Sequence, residues 1–422
     1  MLGVELIRSN PNAVIESLSR RGSSSETIEL IHQVIDQDQT RREALTLQQT
    51  RQQSLNTESR SIAELMRDGK KEKAQMVIER QKTLKSEIKD LTQTIAAAED
   101  SLTQLLLSIP NMVHPSVPDG RTESENVVVD SHGEQPTLEF EPLPHWEIAK
   151  LHSLIDFERG AKVAGAGFPF YIGAGAQLHR ALIHFFIDSA LPEYTEIRPP
   201  LFVNSDSAKG TGQLPDKEGQ MYLVDDGFYP IPTAEVPLTN YYRDEILSES
   251  DLPIKLCAHS PCWRREAGSY GAHVRGLNRL HQFDKVEIVQ LTHPNHSYEV
   301  LDQMRKHSED LLQALELPYR CLLMCAGELG FNQTKQYDLE VWSAGQKRWL
   351  EVSSISNFTD YQARRMNIRF RPEQGGKPQL LHTLNGSALA LPRVVAALLE
   401  NNQNEDGSYE LPSILTPYLH SY

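Results

Sequence analysis

The sequence predicts an α+β protein in two parts: an N-terminal antiparallel coiled-coil arm, then a larger domain of antiparallel β-strands flanked by helices. Three observations carry this. From Glu26 to about Ile109 there is no proline and one glycine, Gly69, inside Asp68-Gly69-Lys70, the pattern of two long helices with a single turn between them. Prolines then cluster from Ile109-Pro110-Asn111 to Pro118-Asp119-Gly120, marking a domain boundary. The organisation expected is therefore 1–110, a linker over 111–130, and a second domain over 131–422. Beyond the linker, period-two alternation brackets a long, Gly-punctuated basic loop between Cys257 and Gln290, and returns around Ser343-Ala344-Gly345-Gln346, which is the signature of paired strands.

Taken in order, residues 1–25 read as a short capping helix and turn, begun by Asn10-Pro11-Asn12 and ended by Gly22-Ser23-Ser24-Ser25. On the return helix Val77, Leu84, Ile88, Leu91, Ile95, Ala98, Leu102 and Leu105 follow an alternating three-four spacing with one polar skip at Gln81, as the seam of a coiled coil does. The outgoing helix starts with Ile28, Ile31 and Ile35 and then turns polar. About forty residues at ~1.5 Å each make an arm about 60 Å long.

The second domain opens with connecting helices over 144–157 and 168–175. Gly173-Ala174-Gly175 lacks the full G-x-G-x-x-G and its strand-helix-strand setting, so it is not read as a dinucleotide loop. Leu178, Leu182, Ile183, Phe186 and Ile187 give a helix over 177–190, and Tyr194 to Pro200 reads as a strand closed by prolines. Within Ile231-Pro232-Thr233-Ala234-Glu235, a strand would put the Thr233 hydroxyl and Glu235 carboxylate on one face, acceptors suited to an ammonium group.

The central loop is bracketed by Cys262-Trp263-Arg264-Arg265-Glu266 and His281-Gln282-Phe283-Asp284-Lys285-Val286-Glu287. Alternation sends Arg264 and Glu266 one way, and Phe283, Lys285 and Glu287 to one face with Val286 and Ile288 on the other. Phe283 and Glu287 would lie roughly 13 Å apart, at about 3.3 Å per residue. Such a surface can stack a purine at one end and hold a small cation at the other, with Arg264 gripping phosphate between. An amphipathic hairpin whose Arg and Glu merely pair across strands gives the same alternation. Further on, Tyr337–Trp342 and Trp349–Val352 read as a hairpin. His382 to Arg393 reads as a strand turning at Gly386 into a helix through Asn401, with Pro392 tolerated in its first turn and Arg393 beside anion-favouring amide donors.

Composition narrows the classes. The 422 residues suffice for two or three domains, and 39% apolar with 23% charged residues is ordinary for a soluble globular chain. No apolar run of about 18 residues could span a bilayer, and Met1-Leu2-Gly3-Val4-Glu5 has no signal-peptide order; a cytoplasmic protein without membrane contact is expected. The four cysteines, 257, 262, 321 and 325, lack paired C-x-x-C spacing, so no structural zinc is expected. A net charge of −15 speaks against a nucleic-acid partner, yet residues 41–89 carry 12 basic against 7 acidic side chains. That is either a solvated helical face or a basic arm for a phosphate backbone.

The string RREAG…RGLNRLHQFDKVE resembles motif 2 of the class II aminoacyl-tRNA synthetases, in the wording of the seryl-tRNA synthetases. Trp263-Arg264-Arg265-Glu266 stands for the family's Phe-Arg-Ser-Glu, and Ala272-His273-Val274-Arg275 for its usual Asp-Thr-Arg ending. The helix and strand ending at Pro199-Pro200 resemble motif 1, the dimer-forming element of that class, and His382–Arg393 resembles motif 3, with Ala388 where glycine is usual. A positive φ at Ala388 would cost alanine roughly 1 kcal/mol. Thr233-Ala234-Glu235 looks like the family's Thr-x-Glu loop, and Glu351-Val352-Ser353-Ser354 like the segment that holds ATP and Mg²⁺. Because Glu351 and Ser354 would face opposite ways on a regular strand, a bulge or strand end near Ser353 is expected.

The resemblance implies a class II catalytic domain, and an arm that contacts the long variable arm of tRNA(Ser). It implies ATP-dependent activation of L-serine to seryl-adenylate and transfer to the 3′ end of tRNA(Ser), with tRNA(Sec) a further candidate acceptor. The implied ATP site comprises Arg264, Arg265, Glu266, Phe283, Glu351, Val352, Ser353, Ser354 and Arg393. Among these, Arg264 and Arg393 act on the phosphates, and Glu351 and Ser354 are the Mg²⁺ ligands. The implied serine site comprises Thr233, Ala234, Glu235, Glu287, Asn385 and Ser387, and the implied assembly is a homodimer. Two other readings fit parts of the pattern: a ligase loading a carrier protein, for which the basic arm would be idle, and a catalytically altered paralogue that binds tRNA or regulates.

Overall fold

The computed structural model describes residues 1–217, 219–266 and 274–419. The chain divides into two compact units, one of residues 1–19 and 23–110, the other of residues 20–22 and 111–422.

In the first unit two short helices, Val4–Ser9 and Pro11–Arg20, lead to a long pair, Ser25–Arg67 and Lys71–Leu107. Ser24 caps the outgoing helix by accepting from the Thr27 amide, and Gly69, at φ 74°, makes the turn between the two. Their 43 and 37 residues span about 65 and 55 Å. Leu84, Ile95, Ala98 and Leu102 are buried in the seam as the spacing requires. At the base, however, Leu106 is the buried residue and Leu105 only half-buried, and on the outgoing helix Val34 takes the place expected of Ile35. The polar skip at Gln81 is used: its amide donates to Ser59 Oγ at 2.9 Å. Where the outgoing helix turns polar, Asp38 is fully buried and accepts from Arg8 at 2.7 Å and Arg41 at 2.9 Å. Burial pushes its carboxyl up, and the two guanidiniums outweigh that, holding it below the usual carboxylate range.

The second unit is built on an eight-stranded sheet. Its spatial order is Val127–His132, Tyr319–Leu323, Lys335–Ser343, Arg348–Asn357, His382–Ala390, Gln282–Thr292, Ile254–Trp263 and Thr195–Glu196. All neighbours are antiparallel except the last pair, Thr195–Glu196 running parallel to Ile254–Trp263, so the sheet is mixed at that edge. Helices Ala174–Ala190, Ser297–Ala314 and Leu391–Asn401 supply Phe186, Met304, Leu312, Val394 and Leu398 to the core that also holds Val286, Ile288, Leu339 and Ile355. Among the described residues no helix is long and apolar enough to cross a membrane.

Several sequence expectations are corrected here. Residues 111–130 are no free linker. The Asn111 amide donates to the Phe331 carbonyl, its side chain to the Asn332 and Phe358 carbonyls, and Val127–His132 is already an edge strand. Phe170–Tyr171 pairs as a short strand instead of starting a helix. Gly173-Ala174-Gly175 begins the helix Ala174–Ala190: Gly173 is its N-cap at φ 50°, and a β-carbon on Gly175 would stand 2.2 Å from the Leu154 carbonyl oxygen. That close approach of backbone to backbone is what glycine permits. Gly175→Ala is therefore expected to lower stability by roughly 1–3 kcal/mol, read as a lower urea midpoint at unchanged slope.

Candidate active site

A cleft of about 540 Å³ opens in the second unit, within the ~300–1,000 Å³ typical of small-molecule sites. Strand Gln282–Thr292 forms its floor: Phe283, Lys285 and Glu287 line it, while Val286 and Ile288 go into the core. Period two does this, because successive side chains on a strand take opposite faces.

At one end lie buried carboxylates. Glu287 accepts from Lys285 Nζ at 2.5 Å and from Asn385 Nδ2 at 3.1 Å. Burial pushes its carboxyl up, with Lys285 opposing. Glu235 accepts from Gln362 Nε2 at 2.7 Å, and Gln362 in turn accepts from Thr383 Oγ1 at 2.6 Å. Burial and then the neighbouring Glu287 raise the Glu235 carboxyl to about 7. Two acids thus share one lysine, and Glu235 is hydrogen-bonded only through a neutral amide among the described residues. An added ammonium group would correct that imbalance. Thr233 and Glu235 do not share a strand face as the sequence suggested. Thr233 lies in a bend, its hydroxyl accepts from the Glu235 amide at 3.2 Å, and Glu235 begins the helix Glu235–Thr239. Both line the cleft, as do Asn385 and Ser387; Ala234 is buried instead among Leu238, Leu247, Met366 and Phe370.

At the other end are cations and an aromatic ring. Strand Ile254–Trp263 stops before Arg264, so alternation cannot set Arg264 against Glu266. Glu266 reaches the cleft by a left-handed backbone, φ 48°, and pairs with Arg279. The Arg264 guanidinium lies 5.2 Å from the centre of the half-buried Phe283 ring. Arg265 does not line the cleft; its amide donates to the Gln220 carbonyl at 2.9 Å. Of the altered loop, Ala272 and His273 lie outside the described residues.

Arg393, in the first turn of Leu391–Asn401, donates through Nη1 to the Glu351 carbonyl at 2.8 Å and through Nε to the Asn278 carbonyl at 3.0 Å. The strand enters that helix through a bulge between Ser387 and Ala390. The positive φ, 74°, falls on Leu389 and not on Ala388, so alanine carries no strain there. Gly386 is likewise not the turn: it lies within the strand, where a β-carbon would stand 3.2 Å from Ile355.

Glu351 and Ser354 face one way because Val352 is a bulge: Leu339 pairs with Ser353 and Glu340 with Glu351. Ser354 Oγ donates to Glu351 Oε1 at 3.1 Å, and Val352 and Ser353 line the cleft beside them. Beneath, Asp338 is buried, and its carboxyl is pushed well above its ordinary range by burial and then by Glu351. A hydroxyl and a carboxylate beside a second acid, which accepts only from the neutral Gln336 and Ser354 side chains, fit a hard cation such as Mg²⁺, which takes few protein oxygens and completes its shell with phosphates and water.

Lys285 and Arg279 line the cleft and Gln362 donates to Glu235 beside it, placements that sequence reasoning did not assign. Lys285 shares the face of Phe283 and Glu287, so the signal was present. Arg279 sits in a loop without period, and Gln362 reaches Glu235 only through tertiary packing.

Residues 1–113 match the family model described as the seryl-tRNA synthetase N-terminal domain, and residues 222–402 match the class II core domain of the G, H, P, S and T tRNA synthetases. A serine–tRNA ligase of Salinibacter ruber is 56% identical over 420 residues, 99% of this chain and 98% of that protein. Among solved structures, seryl-tRNA synthetase from Pyrococcus horikoshii complexed with ATP superposes with a TM-score of 0.95 at 34% identity, covering 99% of this chain and 98% of the other. The cytoplasmic serine–tRNA ligase of Naegleria fowleri in complex with AMP does so with a TM-score of 0.89 at 27% identity, covering 99% and 97%.

The Glu235 carboxyl yields a prediction about stability. With a folded pKa near 7 against an ordinary 4.5, its contribution is fully present below pH 4.5 and is lost as pH rises through 7. Glu235→Gln, which keeps the bond from Gln362, is expected to melt like the parent at pH 4.5 and above it at pH 8, by up to roughly 3 kcal/mol. Thermal melts across that range check it.

Proposed function

This chain belongs to the seryl-tRNA synthetase family, and on that premise we propose that it is a serine–tRNA ligase. It activates L-serine with ATP to seryl-adenylate in the cleft, then transfers the seryl group to tRNA(Ser). The observation that carries this reading is the cleft itself, in which a carboxylate-rich end and a guanidinium-rich aromatic end meet over the strand that carries Phe283, Lys285 and Glu287.

Serine enters with its ammonium group between Glu235, Glu287 and the Thr233 hydroxyl. Its own hydroxyl faces Glu287, Asn385 and Ser387. Phe283 stacks the adenine, Glu266 accepts from it or braces the loop through Arg279, Arg264 holds the α-phosphate, and Arg393 the γ-phosphate. The serine carboxylate, ionised at neutral pH, attacks the α-phosphorus, and pyrophosphate leaves. No protein base is needed, so acceleration comes from alignment and charge neutralisation. In the second step the terminal ribose hydroxyl of the tRNA attacks the acyl carbonyl, and AMP leaves. Glu351 and Ser354 would hold Mg²⁺, which supplies charge neutralisation at the phosphates when bound.

The helical pair in residues 25–107 acts as a coiled-coil arm for tRNA: around its turn at Gly69, residues 41–89 carry 12 basic against 7 acidic side chains, which supports a phosphate-backbone partner. Exposed Phe170, Ile172 and Phe202, at 45, 42 and 50% of full exposure, are large apolar side chains that a second subunit would cover. They support a homodimer, and sedimentation velocity tests it.

Serine-dependent ATP–pyrophosphate exchange by the purified chain is expected, and alanine is expected to fail, because buried acceptors would be left unpaired. Exchange driven equally by alanine would reject the reading. Arg264→Ala is expected to slow adenylate formation at least about 100-fold. Removal of residues 26–109 is expected to leave exchange intact and abolish tRNA retention on filters.

A further inference from the structure

Where the long loop rejoins the sheet, four successive residues are fastened by groups distant in sequence. The Arg275 guanidinium lies 4.8 Å from the centre of the Trp146 ring. Gly276 has φ 70°, and a β-carbon there would stand 2.2 Å from His145 Nε2. The Leu277 amide donates to that same Nε2 at 2.8 Å. Asn278 Nδ2 donates to Gln346 Oε1 at 2.8 Å, and the Asn278 carbonyl accepts from Arg393 Nε at 3.0 Å.

These fastenings converge on one carboxylate. Because Nε2 accepts, the His145 ring carries its proton on Nδ1, and Nδ1 donates to Glu400 Oε1 at 2.7 Å. The same oxygen receives the His145 amide at 2.8 Å and Gln346 Nε2 at 3.1 Å, while Ser343 Oγ donates to Oε2. His145 and Glu400 are both completely buried. Burial pushes the Glu400 carboxyl up, but the donors from His145 and Ser343 outweigh it and keep it below the usual range. A buried carboxylate is tolerable only when donors saturate it, and here each donor's orientation is set by that demand. Neither residue lines the cleft.

We propose that His145 and Glu400 are positioning residues for the nucleotide half of the cleft. Through Leu277, and through Gln346 and Asn278, they hold residues 277–280 and the Arg393 guanidinium in register. Arg279 and Arg393 then meet the triphosphate without having to be ordered by it. Glu400 stands near the far end of the helix whose first turn carries Arg393, so one buried acid couples both phosphate-facing segments. The serine end hangs on Gln362 and Thr383 instead, and is not part of this network. The inference rests on the reading of the cleft as an ATP and serine site.

The test is pyrophosphate exchange by the full chain, with ATP and serine varied separately. His145→Asn keeps a donor near Nδ1 but leaves the Leu277 amide without its acceptor; His145→Gln puts an amide oxygen near Nε2 and keeps that acceptor. His145→Asn is expected to raise KM for ATP about 10-fold or more while KM for serine stays within about twofold, with His145→Gln recovering most of the loss. An unchanged KM for ATP, an equal rise for both substrates, or identical behaviour of the two variants would overturn the positioning role. If His145→Asn does not fold, Gln346→Ala, at a half-buried site, must show the same split, and its absence there overturns the role equally. Wild-type protein is the control: no serine-dependent exchange would refute the function of the cleft, whereas normal exchange with an unsplit variant refutes only the positioning role.

Discussion

Every group in the cleft depends on the register of Gln282–Thr292 between its two antiparallel neighbours. Phe283 lies opposite Cys262, Glu287 opposite Ser387, and Lys285 opposite Ala390. A slip of one residue would drive Lys285 and Glu287 into the core and bring Val286 and Ile288 to the cleft. The apolar cluster behind the sheet therefore does more than stabilise the domain: by refusing charge, it aims the charged face. Two bulges in the same sheet serve the same end, one turning Ser354 beside Glu351 and the other carrying the chain past Leu389 into the helix of Arg393.

The two ends of the cleft differ in how they are made ready. At the acidic end, charge is left unbalanced, so that Glu235 is held near neutrality by burial and by Glu287. A ligand bearing an ammonium group supplies what the protein withholds, and binding and ionisation reinforce each other. At the nucleotide end, the guanidiniums are already engaged: Arg264 over Phe283, Arg279 with Glu266, Arg393 on two backbone carbonyls. These are contacts a phosphate can replace without the side chains having to be ordered anew. The His145–Glu400 pair extends that preorganisation into the interior.

The helical pair obeys a different rule. Its outgoing helix turns polar early, so the seam is supplemented by Gln81 to Ser59 and by Arg51 to Glu87, while Asp38 ties the same helix to Arg8 of the first short helix. Polar locks of this kind specify pairing at modest gain in stability.

What the sequence alone determined is whatever is local or periodic. The two long helices and their turn at Gly69, the strand face of Phe283 and Glu287, the hairpin at 343–348, the bulge forced by the spacing of Glu351 and Ser354, and the motif strings that named the family were all legible, because each is set by neighbours a few residues away. Tertiary structure decided the rest. Ala234 turned inward because its segment bends into a helix instead of continuing as a strand, and Glu266 reached the cleft by a left-handed backbone that no alternation rule foresees. The positive φ fell on Leu389, one residue from where glycine was missed, because the bulge is set by pairing across the sheet. Gln362, Arg279, His145 and Glu400 gain their roles from groups far away in sequence, and a buried charge finds its donors only once the chain has folded around it.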